Sequence, residues 1–254
     1  MTNRFSIAVA AAAGLAFATP ALAQDEWSWT GFYMGLNAGA NWGDANNETT
    51  LSAGGGAVVL PPEDVAAINA AARDDSNNGG FVGGGQLGYN WQNGSLVFGV
   101  ETDFGVFSLD QDNVRTFQSA VLITPPVNIT VSQRVASDWM WTLRPRIGWS
   151  GGQWMIYATG GLAVANIDLA TSYADTATPA HIAVLENDET RAGWVIGVGG
   201  AYKFNPRWSV GAEWLYADFG TVDATATSNN GFVTLFTETN PRANLLRGRV
   251  DFHF

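Results

Sequence analysis

The chain has 254 residues with 23 acidic and 12 basic side chains, a formal net charge of −11 and no cysteine. The acidic balance argues against nucleic acid as a partner, because its phosphates would be repelled. The absence of cysteine excludes a disulfide framework, a thiolate zinc site, a thiol nucleophile and a lipid anchor attached to cysteine.

The first twenty-three residues have the features of a secretory signal peptide. Arg4 and the amino terminus supply positive charge, and an uncharged apolar run extends from Ile7 to Phe17. The run is too short to span a bilayer, and Ala21-Leu22-Ala23 fits the small-residue cleavage pattern. We therefore predict an exported protein in which residues 1–23 are removed and residues 24–254 form one domain.

Apolar residues alternate with small or polar residues along much of the remaining chain. In the first such segment, Phe32, Met34 and Leu36 alternate with Tyr33 and Asn37. This period of two is typical of a strand whose faces meet two different environments. Each of eight segments is long enough for a tilted membrane strand of ~9–11 residues. The predicted strands are Phe32–Trp42, Phe81–Trp91, Leu96–Phe107, Asp138–Trp149, Trp154–Asn166, Arg191–Phe204, Trp208–Phe219 and Arg242–Phe254.

Short and long connections alternate between these segments. Tight turns are predicted at 92–95, 150–153 and 205–207, and the four long connections cover roughly 43–78, 108–137, 167–190 and 220–241. Beyond the leader, the chain contains no run of about eighteen apolar residues, so the sequence predicts no transmembrane helix. The pattern predicts an all-β fold: an eight-stranded antiparallel up-and-down transmembrane β-barrel with short periplasmic turns and four long extracellular loops.

Two local features depart from the regular strand and loop pattern. Pro61 and Pro62 precede an alanine-rich stretch, which predicts a short helix at 63–73 that either caps the barrel mouth or binds a ligand. Pro145 lies within the fourth predicted strand and cannot donate a ladder hydrogen bond, so we expect a β-bulge there.

Aromatic residues flank the tight turns. Their rings are amphipathic and favour the interface between hydrocarbon and water, so they are predicted to form an aromatic girdle. The girdle residues are Trp91, Trp149, Trp154, Phe204 and Trp208.

The predicted inward face collects charged side chains. Eight of them form the predicted lumen charge network, with Lys203 near one rim: Glu101, Asp103, Glu213 and Asp251 against Arg144, Arg146, Arg247 and Arg249. The interior of an eight-stranded barrel is about wide enough for side chains to fill. Because buried charges must be paired, we favour a salt-bridged, closed lumen. The alternatives are a narrow polar conduit with a movable charge gate, and catalysis by paired carboxylates.

Other candidate sites are weak. Residues 83–88 match a dinucleotide-binding glycine pattern, but they lie inside a predicted strand with no helix after them. The two histidines, His181 and His253, belong to no hydrolase or metal-binding motif. We therefore predict no cofactor, no metal site and no enzymatic activity.

Several stretches resemble one family, the small outer-membrane barrels of alphaproteobacteria known as opacity-protein-like or "porin family" surface proteins. The matching stretches are 29–35, 96–101, 157–163, 208–210 and 213–216. The last strand resembles the C-terminal aromatic signal that the barrel-assembly machinery reads, with Val250, Phe252 and Phe254 as its residues. The resemblance implies a location in the outer membrane of a Gram-negative bacterium, with membrane lipid and lipopolysaccharide as partners.

The leading functional hypothesis is a structural surface barrel that supports envelope integrity. The alternatives are a narrow nonspecific pore and an adhesin or ligand binder that uses the long loops. A soluble periplasmic binder would need its apolar face inward, which the lumen-facing arginines oppose. Acidic residues outside the lumen could bind divalent cations that bridge to lipopolysaccharide phosphates, or could simply keep the loops soluble.

Overall fold

A computed structural model of the chain describes residues 27–43, 45–53, 79–118, 127–176, 182–227 and 233–254, together with Glu63 and Ala66. The described residues contain ten strands. They are β1 (Gly31–Trp42), β2 (Ala45–Ala53), β3 (Gly79–Asn93), β4 (Leu96–Gln118), β5 (Asn128–Ser150), β6 (Trp154–Asp175), β7 (Ile182–Asn205), β8 (Trp208–Asp218), β9 (Val222–Thr227) and β10 (Val233–His253).

Eight of these strands form a closed antiparallel barrel in the order β1-β3-β4-β5-β6-β7-β8-β10. The barrel closes because β1 pairs with β10, from Tyr33 opposite His253 to Trp42 opposite Asn244. Closure gives each barrel strand two neighbours, so no ladder of backbone hydrogen-bonding groups is left open to lipid. The predicted eight-stranded barrel is confirmed.

Side chains alternate between the inside and the outside of the barrel. Along β5, Thr142 and Arg144 are fully buried, whereas Leu143 and Ile147 are exposed by 41% and 52%. A soluble protein would bury the leucine and the isoleucine instead. The alternation therefore fits a barrel whose outer surface contacts hydrocarbon and whose interior holds the polar side chains.

Five strands, β4 to β7 and β10, continue well beyond the predicted membrane segments. β4, β5, β6 and β7 contain 22 to 24 residues, compared with 12 in β1 and 11 in β8. The β4–β5 ladder shifts register between Val106 and Leu109 and then continues to the pairing of Gln118 with Asn128. We call the extracellular parts of β4 to β7 the extracellular extension; they are residues 109–118, 128–137, 168–175 and 182–188. Much of the sequence predicted as long loops is therefore strand.

Two short strands were missed entirely. β2 and β9 both pair with the first half of β10, on either side of it. They lie in the connections 43–78 and 220–241, which were predicted as loops. Both faces of a strand above the membrane can meet water, so no apolar alternation is required there and the sequence signal is lost.

The predicted bulge at Pro145 is wrong. Pro145 lies opposite Val100 of β4, and the register of β5 with both neighbours is unchanged across it. The Thr159 hydroxyl donates to the Pro145 carbonyl at 3.0 Å. This side-chain bond binds the proline carbonyl to β6 where the proline has no N–H to offer, so the strand passes the proline without an extra residue.

Two predicted segments fall outside the described residues. The signal peptide at 1–23 is one of them. Within the predicted helix at 63–73, only Glu63 and Ala66 are described, and both are helical. Where the chain is described, it contains no helix long and apolar enough to cross a membrane.

Candidate functional site in the barrel lumen

All eight residues predicted for the lumen charge network lie inside the barrel, and each is at most 7% exposed. Four strands supply them: Glu101 and Asp103 on β4, Arg144 and Arg146 on β5, Glu213 on β8, and Arg247, Arg249 and Asp251 on β10. Members on one strand are two residues apart, so they point to the same face. Ladder pairing aligns the strands, because Glu101 lies opposite Arg144 and Glu213 opposite Arg247.

Arg144 lies at the centre of the network and contacts three carboxylates. Its Nη2 donates to Glu101 Oε1 and to Asp103 Oδ2, both at 2.7 Å. Its Nη1 donates to Glu213 Oε1 at 3.2 Å. The guanidinium has a fixed fork of donors, so one arginine can hold carboxylates from β4 and β8 together across the lumen.

The two arginines of β10 bind the same carboxylates from another side. Arg247 donates to Asp103 Oδ1 at 3.1 Å and to Glu213 Oε1 at 2.8 Å. Arg249 donates to Glu101 and, through Nε, to Asp251 at 2.9 Å. Each carboxylate therefore accepts bonds from at least one arginine, which offsets the cost of removing these ions from water.

Neutral side chains that were not predicted for the network complete it. The Tyr33 hydroxyl donates to Glu101 at 2.8 Å, and the Tyr157 hydroxyl donates to Glu213 at 3.0 Å. Arg146 donates to Asn90 and lies over the Tyr33 ring at 4.5 Å. All three neutral residues fall in the inward register of their strands, so alternation alone could have identified them.

Two apolar layers enclose the charged layer, and neither was predicted. Towards the extracellular side, large side chains such as Phe107, Met140 and Leu215 fill the lumen and are almost fully buried. The extracellular apolar layer consists of Val82, Phe107, Met140, Ala163, Ala165, Ile167, Val195, Leu215, Ala217, Phe219, Ala243 and Leu245. The periplasmic apolar layer consists of Trp29, Val97, Met155, Tyr157 and Ala201.

The lumen is filled rather than open at the level of the charges. An interior cavity beside Asp103, Met140 and Arg247 has a volume of about 10 Å³. A cavity of that size holds about one water molecule at most.

The charged and histidine side chains of the lumen are already engaged with other side chains. Each of the four network carboxylates accepts a hydrogen bond from at least one arginine. Among the described residues, no three histidine, aspartate or glutamate side chains are grouped so that they could hold a metal ion. Residues 83–88 lie within β3, as expected. His253 Nε2 lies 2.9 Å from Ser209 Oγ in a buried pair, whereas His181 is not among the described residues.

The outer surface carries the residues predicted for the membrane interface. All five girdle residues are exposed, between 42% for Trp154 and Trp208 and 53% for Trp91. Trp149 and Trp154 meet edge to face across the β5–β6 turn, with ring centroids 4.9 Å apart.

At the end of the last strand, Val250 and Phe254 are exposed, and Phe252 contacts Phe254 edge to face. The assembly role of these three residues stays a prediction.

Sequence comparison identifies the family. The family model described as "Outer membrane protein beta-barrel domain" matches residues 9–254. The chain belongs to this family. The 31 kDa outer-membrane immunogenic protein of Brucella melitensis is 30% identical over 198 residues, which cover 77% of this chain and 73% of that protein. A 22 kDa outer membrane protein of Rhizobium leguminosarum is 25% identical over 142 residues, 55% of this chain and 54% of that protein.

The solved structures that the chain resembles are more distant in sequence. Neisserial surface protein A is 11% identical, with a TM-score of 0.36, and the match covers 89% of this chain and 98% of that one. The outer membrane protein OprG from Pseudomonas aeruginosa is also 11% identical, with a TM-score of 0.41 and coverage of 89% and 97%. The family and the fold place the chain in the outer membrane, as predicted.

Proposed function

We propose that the chain is a structural surface protein that supports the integrity of the outer membrane, with a closed lumen and no catalytic role. The observation that carries the proposal is the layered lumen, in which fully paired charges lie between two apolar layers. An ion entering from either side would lose its hydration in an apolar layer before it met a charged side chain, which is costly.

Single-channel recording tests whether the lumen is closed. The chain without residues 1–23 is reconstituted in a planar bilayer, and we expect no discrete conductance steps. Steps that appear in the parent chain and disappear in Arg144→Ala or Glu101→Ala would overturn the proposal in favour of a gated pore, because those variants disrupt the charge network itself.

A deletion strain tests the envelope role. Loss of the protein should increase detergent sensitivity and the leakage of periplasmic enzymes, because a rigid barrel would no longer be present in the outer membrane. The full chain should restore both properties, and so should a variant with residues 54–78 shortened. A deletion strain with an unchanged permeability barrier would contradict the envelope role.

The extracellular extension supports a second candidate, binding of a ligand at the cell surface. It continues four barrel strands as a hydrogen-bonded sheet, from Asn128 opposite Gln118 to Ala174 opposite Ile182. A paired sheet of this kind is a more rigid binding surface than unstructured loops. Shortening the β4–β5 hairpin at 110–134 should abolish surface binding and leave the permeability barrier intact. If binding survives, the extension is not the binding surface.

A further inference from the structure

The chain segment before β1 turns into the periplasmic end of the barrel. Trp29 is 1% exposed and packs with Val97, Met155, Tyr157 and Ala201 in the periplasmic apolar layer. The girdle tryptophans at the same end point outward to the membrane interface. Trp29 therefore fills the lumen entrance instead of anchoring the barrel in lipid.

Hydrogen bonds attach this segment to two of the three periplasmic turns. The Trp29 indole Nε1 donates to the Gly152 carbonyl in the β5–β6 turn at 2.9 Å. The Trp29 amide donates to the Gln92 side-chain oxygen at 2.7 Å, and the Gln92 amide donates to the Thr30 hydroxyl at 2.9 Å. Gln92 lies at the end of β3, beside the β3–β4 turn.

Lys203 attaches the segment to the third turn. Its Nζ donates to the Ser28 carbonyl at 2.6 Å and to the Pro206 carbonyl at 3.4 Å. The same nitrogen lies 5.0 Å from the centre of the Trp29 ring, a cation–π arrangement. On β10, the His253 ring meets the Trp29 ring edge to face, with centroids 5.5 Å apart. The segment is thus held by all three periplasmic turns and by the last strand.

We propose that residues 27–30 form a stopper segment that seals the periplasmic end of the lumen, with Trp29 as the seal and Lys203 as its tether. Tyr157 packs with Trp29 in the periplasmic apolar layer and also donates a hydrogen bond to Glu213, so the apolar layer directly adjoins the charged layer. In this position the Trp29 ring shields the charged layer from periplasmic water. The stopper segment is a separate claim from the closed lumen, since the charged layer could block ions even if periplasmic water reached it.

Cysteine labelling tests the seal directly, because the natural chain contains no cysteine. Ala201→Cys places a thiol behind Trp29 in the periplasmic apolar layer. The full mature chain is refolded in vesicles or detergent and exposed to a charged, membrane-impermeant maleimide. We expect slow labelling of Ala201→Cys alone. Adding Trp29→Ala should raise the rate by about tenfold or more, as expected if local opening becomes easier by ~1.4 kcal/mol.

Three controls separate a seal from general loosening of the barrel. Trp154→Ala removes an outward tryptophan at the same end and should leave Ala201→Cys protected. A second reporter, Ala217→Cys in the extracellular apolar layer, should stay protected when Trp29→Ala is present. Heat-modifiable gel mobility reports whether each variant is folded.

Lys203→Met keeps the proposal testable if Trp29→Ala does not fold. It removes the bond to Ser28 and the cation–π contact but leaves the Trp29 ring, so labelling of Ala201→Cys should rise by a smaller factor. The proposal is overturned if Ala201→Cys reacts rapidly with Trp29 present. It is also overturned if Ala201→Cys stays protected in a folded Trp29→Ala or Lys203→Met variant, or if Ala217→Cys opens equally. Single-channel recordings are not needed for this test. Its failure would remove only the periplasmic apolar barrier, and the paired charges and the extracellular apolar layer would still support the proposed closed lumen.

Discussion

The membrane-spanning part of β5 and its extracellular extension share one backbone ladder but follow different rules for their side chains. From residue 139 to residue 149, outward positions carry mainly large apolar side chains and inward positions are buried. In the extension, the Thr116 and Thr130 hydroxyls hydrogen-bond to each other on an exposed surface, with a separation of 3.0 Å. Lipid on one side imposes the alternation, whereas polar side chains are accepted on an exposed face of the extension, even though Ile129 there is buried.

The largest expected effect on stability comes from breaking ion pairs in the lumen, compared with an exposed ion pair between β8 and β10. Arg144→Met removes the partner of three buried carboxylates and should lower the free energy of unfolding by about 3–5 kcal/mol. Urea unfolding in lipid vesicles measures the effect. The matched control is Arg242→Met, because Arg242 binds Asp218 at 3.1 Å with 40% of its side chain exposed. That change should cost about 0–1 kcal/mol, and equal losses would contradict the account.

Outward positions should respond to charge according to their surroundings. Val100 faces lipid on β4, where Val100→Arg should cost ~2–4 kcal/mol near the midplane. Val114 lies on the extension of the same strand and is 64% exposed. Val114→Arg should change stability by no more than about 0.5 kcal/mol because the charge remains in water. The same unfolding assay compares the two, and a tolerated arginine at position 100 would show that the strand is misplaced in the membrane.

The smallest expected effect is a pH dependence in the extension. Asp168 on β6 lies opposite Asp188 on β7. Burial, a hydrogen bond with Asp188 and the negative charges of Asp188 and Asp138 raise the pKa of Asp168 to about 6. The unfolded value is about 3.9. Since the folded pKa of Asp168 is the higher one, protonated Asp168 stabilises the fold at low pH, and this stability is lost as pH rises through 6.

Asp168→Asn should remove that pH dependence. Above pH 6 the variant should be more stable than the parent by ~1 kcal/mol or less, because solvent screens much of the repulsion. Urea midpoints at pH 5 and pH 7.5 give the comparison. Asp138→Asn, which removes only a nearby charge, should shift them less. A parent chain that becomes relatively more stable than Asp168→Asn on going to pH 7.5 would contradict the sign of this effect.

Most of the barrel could be predicted from sequence because lipid leaves a strong pattern. Wherever an apolar outward residue alternates with a polar inward one, as at Leu143 and Arg144, both the strand and its facing follow. The inward register also placed the eight charged residues in the lumen. Pro145 was misjudged, because the Thr159 hydroxyl that binds its carbonyl comes from another strand.

The apolar layers could not be predicted in the same way. Where inward and outward residues are both apolar, as in Trp214-Leu215-Tyr216, alternation gives no local contrast, and Leu215 can be placed inside only by counting two residues on from Glu213. Trp29 has no periodic neighbours, since it precedes β1 and its contacts come from three distant turns. The extension shows little alternation of apolar and polar residues, because polar residues are acceptable on its exposed faces. Its strands were therefore predicted as loops.

Accessibility scanning along β5 measures which side of the barrel wall meets lipid and which meets water, and the absence of natural cysteine makes single spin labels practical. Labels are placed one at a time from 128 to 149 in lipid vesicles. Two relaxing agents are used: oxygen, which is apolar, and a water-soluble nickel complex. We expect outward positions from 139 to 149 to contact oxygen and exposed positions below 137 to contact the nickel complex. Inward positions should contact neither agent. A period-two pattern of nickel accessibility at Thr142, Arg144 and Arg146 would contradict it, because the lumen would then contain water.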